Sequence, residues 1–205
     1  NTYFESTYAN GVGAVAARSV GTFKNIYVGS DVYIKNKVCG AVGGLIGIAT
    51  KDTYVENCWS AANVTSAGQE IGGIIGNGNA MKVTVKHCLF TGTVTRSFEG
   101  HEEGVKLYDY AEYPSYYKNR AEVGAYLGGI IGRTGSGTEK AGFKGNFVIE
   151  DCLSTGTISS VREKDYLGGV VGYATGSTAD GKATVKNNFS LFKFLLYLLD
   201  FHFLQ

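Results

Sequence analysis

The sequence has one proline and a formal net charge of only +1 over 205 residues. A protein that binds nucleic acid or a membrane surface by electrostatic attraction usually carries a clear basic excess, so this charge balance argues against both partners. No Cys-x-x-Cys pair and no His/Cys cluster is present, so nothing indicates zinc, and we expect no metal and no cofactor. The repeated units described below also lack helical periodicity, which argues against a βαβ fold.

Glycine, in contrast, is abundant, at 30 of 205 residues, about twice its usual share. Flexible low-complexity chains contain few aromatic residues, yet this sequence has 14 Tyr and 11 Phe and is 44% hydrophobic. We therefore expect a folded domain with a sizeable core, in which glycine meets a regular backbone requirement. The sequence starts at Asn1, and we interpret it as a processed or excised piece of a longer protein.

One glycine phrase recurs along the chain. Its copies are AVGGLIG at 41–47, EIGGIIG at 70–76, YLGGIIG at 126–132 and YLGGVVG at 166–172, with VGAVAA at 12–17 as a diverged first copy. A second phrase follows each of them, as FKNIYVGSDV at 23–32, VENCWSAANV at 55–64, VKHCLFTGTV at 85–94, IEDCLSTGTI at 149–158 and VKNNFS at 185–190. The spacing indicates a unit of roughly 29 residues, with loops inserted in the longer copies.

Each unit consists of short β-branched runs that cannot bury an apolar face alone, whereas stacked units can form one continuous core. If every unit makes one turn, its strands pair in parallel with their copies above and below, about 4.8 Å apart. The predicted fold is therefore all-β, a right-handed parallel β-helix (solenoid) of about five coils with inserted loops. The double glycines then mark a narrow column, or a backbone conformation that a Cβ would forbid.

A polar column within the second phrase predicts where the chain turns. It consists of Asn25, Asn57, His87, Asp151 and Asn187. Asn, Asp and His are the non-glycine residues that best tolerate the left-handed backbone region, and a corner needs that conformation once per unit. We interpret the column as a ladder of corners, which makes His87 a turn residue and not a functional histidine.

The cysteines follow that column, at Cys58, Cys88 and Cys152, with Cys39 outside it. In-register stacking places their Cβ atoms about 4.8 Å apart. A disulfide needs a Cβ–Cβ distance of roughly 3.5–4.5 Å. We therefore predict free, buried thiols that act as small hydrophobes.

The residue after each cysteine position forms another column. Its members are Tyr27, Trp59, Leu89, Leu153 and Phe189. If the cysteines point inward, simple alternation turns this column outward as an apolar stripe, which would indicate a binding partner. A corner just before the column can change that parity, and we favour the interpretation that the column belongs to the core.

Catalysis on a β-helix requires paired carboxylates or calcium-binding acids on one face. Glu56 and Glu150 share a column with Lys24, Lys86 and Lys186, which is typical of a solvated face with alternating charges. The richest acidic cluster, Glu99, His101, Glu102 and Glu103, lies in a hydrophilic insert without a second cluster to pair with. We therefore predict a protein that is not an enzyme, with no catalytic residues.

The two phrases together resemble the GLUG motif, a short repeat of bacterial cell-surface and secreted proteins. The match is good at 43–64, 72–94 and 128–158 and partial at 12–32 and 168–190. The resemblance implies a β-helical surface domain, often within large adhesin-like or peptidase-associated proteins, and supplies no catalytic residues.

Two segments depart from the repeat. Residues 191–205 form an apolar tail that is either a cap on residues 1–190 or the product of a truncated or shifted reading frame; at 15 residues it is short for a membrane span. The insert at 97–123 must leave the domain where the chain turns. It contains the predicted ligand-binding tyrosines, which we group with Trp59: Tyr108, Tyr110, Tyr113, Tyr116 and Tyr117. Tyrosine provides a stiff apolar face and a hydroxyl, suited to sugars or protein. The alternative, which we favour, is that the rings pack the insert onto the domain.

The sequence thus predicts a non-enzymatic extracellular or cell-surface domain, an adhesin-like scaffold that binds a glycan or a partner protein. The alternatives are a polysaccharide-degrading β-helix enzyme and a pure structural spacer within a larger surface protein. The sequence does not name a ligand.

Overall fold

The computed structural model describes residues 1–6, 10–37, 40–78, 82–100, 123–135, 145–174 and 182–191. Every regular element in these ranges is a β-strand, and every strand pairing is parallel. The strands form four sheets, each of which collects the same strand from successive repeats. The expectation of an all-β fold with parallel pairing is confirmed.

Sheet 1 contains the double-glycine phrase. Its strands are β2 (Gly11–Gly13), β6 (Ala41–Gly43), β10 (Glu70–Gly72), β15 (Tyr126–Gly128) and β20 (Tyr166–Gly168). Gly13, Gly43, Gly72, Gly128 and Gly168 stand in register across the sheet. The alignment of the repeats on their double glycines, derived from the sequence, is therefore the same as the strand register of the structure.

Sheet 2 is the longest sheet and follows sheet 1 in each repeat. Its strands are β3 (Ala16–Lys24), β7 (Ile46–Glu56), β11 (Ile75–Gly78), β12 (Lys82–Lys86), β16 (Ile131–Thr134), β17 (Asn146–Glu150), β21 (Val171–Ala174) and β22 (Lys182–Lys186). The single strand β7 pairs with both β11 and β12 of the following repeat.

Sheets 3 and 4 complete each repeat. Sheet 3 contains β4 (Tyr27–Val28), β8 (Trp59–Ser60), β13 (Leu89–Phe90), β18 (Leu153–Ser154) and β23 (Phe189–Ser190). Sheet 4 contains β1 (Thr2–Ser6), β5 (Val32–Asn36), β9 (Asn63–Ser66), β14 (Thr93–Arg96) and β19 (Thr157–Ser160). The same order of sheets, from 1 to 4, recurs along the chain.

The corner between sheets 2 and 3 has the predicted backbone. Within the described ranges, five non-glycine residues have a positive φ, between 51° and 57°: Asn25, Asn57, His87, Asp151 and Asn187. Asn57 Nδ2 donates to Asn25 Oδ1 at 2.6 Å, so the side chains of these two neighbouring corners partner each other. The prediction of a left-handed corner once per repeat is confirmed, and His87 is one of its members.

The core lies between the sheets and consists of columns of aliphatic side chains. One column runs through Val42, Ile71 and Leu127, none of which is exposed. Glycine is needed beside it because the backbones approach closely. A Cβ on Gly72 would lie 1.9 Å from the carbonyl oxygen of Ile75 and 2.8 Å from the backbone nitrogen of Gly132. Of the two reasons offered for the double glycines, close approach is the one that applies at Gly72, since its φ is not positive.

Candidate functional site

The column predicted to be either core or an outward stripe is an outward stripe in the structure. We call Tyr27, Trp59, Leu89, Leu153 and Phe189 the apolar stripe. The exposed fractions are 59% for Tyr27, 41% for Trp59, 38% for Leu153 and 71% for Phe189, and Leu89 is half-buried. The favoured interpretation of this column as core was therefore wrong.

The physical reason is that the corner preserves the alternation of the strand. Asn57 takes the left-handed turn, Cys58 then points inward with 1% exposure, Trp59 points out, and Ser60 points inward again with no exposure. Since the turn is complete before the cysteine, the two-residue period of the strand applies from there onward.

Backbone pairing fixes the members of the apolar stripe relative to one another. Tyr27, Trp59, Leu89, Leu153 and Phe189 are consecutive partners in sheet 3, so the side chains repeat about every 4.8 Å. The rings of Tyr27 and Trp59 lie 4.5 Å apart between centroids, at 49°. Trp59 Nε1 donates to Thr91 Oγ1 at 2.9 Å, which fixes the orientation of the indole. The apolar stripe is thus a preorganised ridge.

A ladder of ion pairs runs beside the apolar stripe on sheet 2. It consists of Lys24, Glu56, Lys86, Glu150 and Lys186, which are register partners. Lys24 Nζ lies 2.7 Å from Glu56, and Lys86 Nζ and Lys186 Nζ lie 2.9 and 2.6 Å from Glu150. The alternating-charge interpretation of this column is confirmed.

These ion pairs determine what the two carboxylates can do chemically. The hydrogen bond from Lys186, and then that from Lys86, lowers the pKa of Glu150. The hydrogen bond from Lys24 lowers the pKa of Glu56 in the same way. A general acid needs a carboxyl group that is still protonated near neutral pH, and lowered pKa values work against that role.

His87 lies among other side chains of the corner and is more than half exposed. Its Nε2 lies 3.6 Å from Asp151 Oδ2, and its Nδ1 lies 3.9 Å from Glu56 Oε1. With a φ of 51°, its place in the fold follows from the backbone requirement of the turn.

Cys58, Cys88 and Cys152 are buried and free, as predicted, while Cys39 lies outside the described residues. Each thiol lies near the carbonyl oxygen two residues before it; for Cys88 Sγ and Lys86 O the distance is 3.1 Å. The neighbouring thiols of Cys152 and Cys58, together with burial, raise the pKa of Cys88. In the part of the chain that the structure describes, no three His, Cys, Asp or Glu side chains are grouped so as to hold a metal ion.

The insert begins after β14 of sheet 4 and ends before β15 of sheet 1, so it falls at a junction between two sheets, as expected. The predicted ligand-binding tyrosines within it, Tyr108, Tyr110, Tyr113, Tyr116 and Tyr117, lie outside the described residues. Trp59, the other predicted site residue, lies on sheet 3 in the apolar stripe.

Sequence reasoning missed two groups at the base of the insert. The first is a buried ion pair between Arg96 and Asp165, whose side chains are 1% and 0% exposed. The second is a cluster of Tyr126, Tyr166 and Tyr173 with the guanidinium of Arg133 over the Tyr126 and Tyr173 rings. A sequence signal existed for the tyrosines, because Tyr126 and Tyr166 occupy the same position in the two YLGG phrases.

No family model, no curated protein and no solved structure matches the chain. Among the described residues, no helix is long and apolar enough to cross a membrane.

Proposed function

We propose that this chain is a non-enzymatic, adhesin-like scaffold at the cell surface or outside the cell, and that it binds a partner protein through the apolar stripe. The observation that carries the proposal is a row of five consecutive register partners on one sheet, all aromatic or aliphatic, of which four are exposed and Leu89 is half-buried. Contiguous exposed apolar surface on a soluble domain is a common mark of a protein interaction site.

The composition of the apolar stripe favours protein over carbohydrate. Four steps of about 4.8 Å give a ridge about 19 Å long. Its centre is Leu89 and Leu153, side chains that offer neither a flat ring nor a hydrogen bond to a sugar. Trp59 and Tyr27 add a paired aromatic anchor at one end, and such residues often dominate the energetics of protein interfaces.

The architecture that presents this ridge is, in our proposal, a right-handed parallel β-helix of about five coils, built from GLUG-type repeats. The in-register pairing of each phrase with its copies supports the solenoid, and the strong general preference of parallel crossovers supports the hand. The phrases at 43–64 and 72–94 support the family. A surface protein of this kind uses the stack of repeats to hold a recognition face at a distance.

A binding role is also supported by the state of the carboxylates. Glu56 and Glu150 each lie within 3 Å of a lysine ammonium, which stabilises their charged forms. The charge ladder therefore acts as a solvated wall of the scaffold beside the binding ridge.

Attachment of protein-coated beads tests the proposal. Beads carrying the chain are applied to cultured epithelial cells and to purified extracellular-matrix proteins, with and without prior protease treatment of the target. We expect attachment that protease treatment removes. The triple variant Tyr27→Thr, Trp59→Thr and Leu153→Thr should reduce attachment about tenfold or more, since truncating the anchor side chains of an interface together costs about 1.4 kcal/mol of binding or more.

The matched control removes two exposed rings from another sheet. Tyr3 and Tyr33 stack on sheet 4 with centroids 5.1 Å apart, and Tyr3→Thr with Tyr33→Thr should leave attachment unchanged. Attachment that survives the stripe substitutions would contradict the proposal. So would attachment that periodate treatment of the target abolishes and protease treatment does not.

A further inference from the structure

We propose that a groove at the base of the insert, beside sheet 1 and separate from the apolar stripe on sheet 3, is a binding site for a neutral saccharide. The groove has a volume of about 460 Å³ and is lined by Val123, Tyr126, Glu163, Lys164 and Tyr166. This size lies within the roughly 300–1,000 Å³ range of small-molecule sites. We call it the tyrosine groove.

The wall of the tyrosine groove consists of two aromatic rings. Tyr126 and Tyr166 are register partners in sheet 1, and their rings stack with centroids 5.4 Å apart at 27°. Tyr166 is 56% exposed, so an aromatic surface remains open to solvent. An aromatic face of this kind packs against the C–H face of a pyranose ring and buries its apolar side.

The wall is supported from behind. The Tyr173 ring lies 4.8 Å from the Tyr126 ring, and the Arg133 guanidinium lies 5.2 Å from the centroid of Tyr126 and 5.7 Å from that of Tyr173. Arg133 Nη1 is in turn 3.5 Å from Glu70 Oε1. Such packing limits the rotamers of Tyr126, and a preorganised wall loses less entropy when a ligand binds.

The floor of the tyrosine groove is held by the buried ion pair. Asp165 pairs with Arg96 and accepts hydrogen bonds from the backbone nitrogen of Ala125, at 2.8 Å, and from the Ser160 hydroxyl. Arg96 Nη2 also donates to the carbonyl oxygen of Val123 at 2.9 Å. The Arg96–Asp165 pair thereby links three segments to one another: the chain before the insert, the chain after it and the loop that precedes Tyr166.

A buried ion pair contributes little net stability compared with apolar residues of the same shape, because desolvation offsets the attraction. Burial indeed lowers the pKa of Arg96, although the charge of Asp165 counteracts that effect. What the pair does provide is a fixed geometry for the two segments that line the tyrosine groove.

The charges at the rim indicate which ligand fits. Glu163 and Lys164 are exposed neighbours of opposite sign, so the rim offers both an acceptor and a donor without an excess of either charge. Glu163 would repel a polyanion, and Lys164 would repel a cation. A neutral sugar, whose hydroxyl groups donate and accept and whose ring faces are apolar, matches the aromatic wall and the mixed rim.

Titration calorimetry on the whole chain tests this site. The probes are cellohexaose, xylohexaose and mannohexaose as neutral oligosaccharides, with an oligogalacturonate as the anionic comparator. We expect at least one neutral probe to bind and the anionic probe to bind more weakly. Tyr166→Ala should weaken binding about tenfold or more, and Glu163→Gln, an exposed change that leaves the fold intact, should weaken it severalfold.

Four further variants separate this site from the apolar stripe and probe the contribution of the buried ion pair. Trp59→Thr and Tyr3→Ala should leave saccharide binding unchanged. Arg96→Met should weaken binding by loosening the floor, and Arg96→Lys, which keeps the charge, should restore a large part of it.

The inference is overturned if none of the neutral probes binds. Binding that is indifferent to both Tyr166→Ala and Glu163→Gln also overturns it, as does binding lost only with Trp59→Thr. Because the apolar stripe is tested by protease-sensitive attachment, either proposal can fail while the other stands.

Discussion

The ion-pair ladder and the apolar stripe are two outward-facing columns that the same in-register stacking creates three residues apart. In the ladder, each side chain meets an opposite charge from the next repeat, as Lys24 meets Glu56 at 2.7 Å. In the stripe, stacking places apolar side chains next to other apolar side chains, and Leu153 and Phe189 remain 38% and 71% exposed. Stacking of the repeats therefore pairs the charges of the ladder with one another, but it leaves the apolar side chains of the stripe available for a partner. This difference in the two columns is what supports a binding role for the stripe.

The largest expected effect comes from breaking the stacking on which both columns depend. Gly72→Ala places a Cβ 1.9 Å from Ile75 O and 2.8 Å from Gly132 N, both backbone atoms that cannot move aside cheaply. We expect a loss of about 3 kcal/mol in the free energy of unfolding, at the upper end of overpacking effects, measured by urea denaturation.

The matched control is Gly29→Ala, since a Cβ there meets mainly the flexible Asp31 carboxylate, at 2.7 Å. This substitution should change the free energy of unfolding by much less. Equal effects of the two substitutions would show that the double glycine does not set the stacking distance.

The next largest effect on stability is expected at the buried cysteines, which directly follow the corner that separates the two columns. Cys88→Ser replaces a buried thiol by a hydroxyl and should cost about 1–3 kcal/mol, with the carbonyl oxygen of Lys86 as a partial partner for the new group. Alkylation followed by mass spectrometry without reduction should also find Cys58, Cys88 and Cys152 free. A Cys58–Cys88 disulfide in that experiment would contradict the stacked, reduced arrangement.

Within the apolar stripe, a double-mutant cycle measures what the ridge contributes to stability. The Tyr27–Trp59 pair, with centroids 4.5 Å apart, should have a coupling energy of about 0.5–1.5 kcal/mol. The single substitutions Tyr27→Thr and Trp59→Thr and their combination are compared by thermal unfolding. A coupling energy indistinguishable from zero would mean that the two rings do not pack as a unit in solution.

In the ladder, the expected effect is smaller and depends on pH. The folded pKa of Glu150 is lowered from its ordinary 4.5, first by Lys186 and then by Lys86. Its contribution to stability is therefore fully present above pH 4.5 and is lost as the pH falls through the lowered value. Glu150→Gln should flatten the decline of the melting temperature in acid.

Asp52→Asn, at an exposed acid on the same sheet, serves as the control for this pH series. Added salt should weaken the Glu150 effect, because partly exposed ion pairs are screened. A Glu150→Gln variant whose acid profile matches that of the wild type would show that the ladder is not formed in solution.

Much of this architecture was predictable from residue patterns. The spacing of the double glycines predicted the register, and the column from Asn25 to Asn187 predicted the left-handed corners, because both are repeated local requirements of the backbone. The orientation of Trp59 was not settled by the same pattern, since it depended on whether the turn ends before or after the cysteine.

The base of the insert was beyond such reasoning. Arg96 and Asp165 are 69 residues apart, belong to no repeated phrase and meet only because sheets 4 and 1 join there. Tyr126 and Tyr166 share a repeat position, but their phrases differ at that position from AVGG and EIGG, so nothing in the repeat itself required a tyrosine. Features that arise once depend on tertiary proximity, which a sequence pattern does not provide.

The most direct test of the account uses Trp59, the only tryptophan of the chain, as a reporter. Acrylamide quenching of its fluorescence in the folded protein measures whether the apolar stripe faces solvent. With 41% exposure, Trp59 should be quenched readily, with a rate constant that is a substantial fraction of that after unfolding in guanidinium. Blue-shifted emission that acrylamide barely quenches would place Trp59 in the core and contradict an outward-facing stripe.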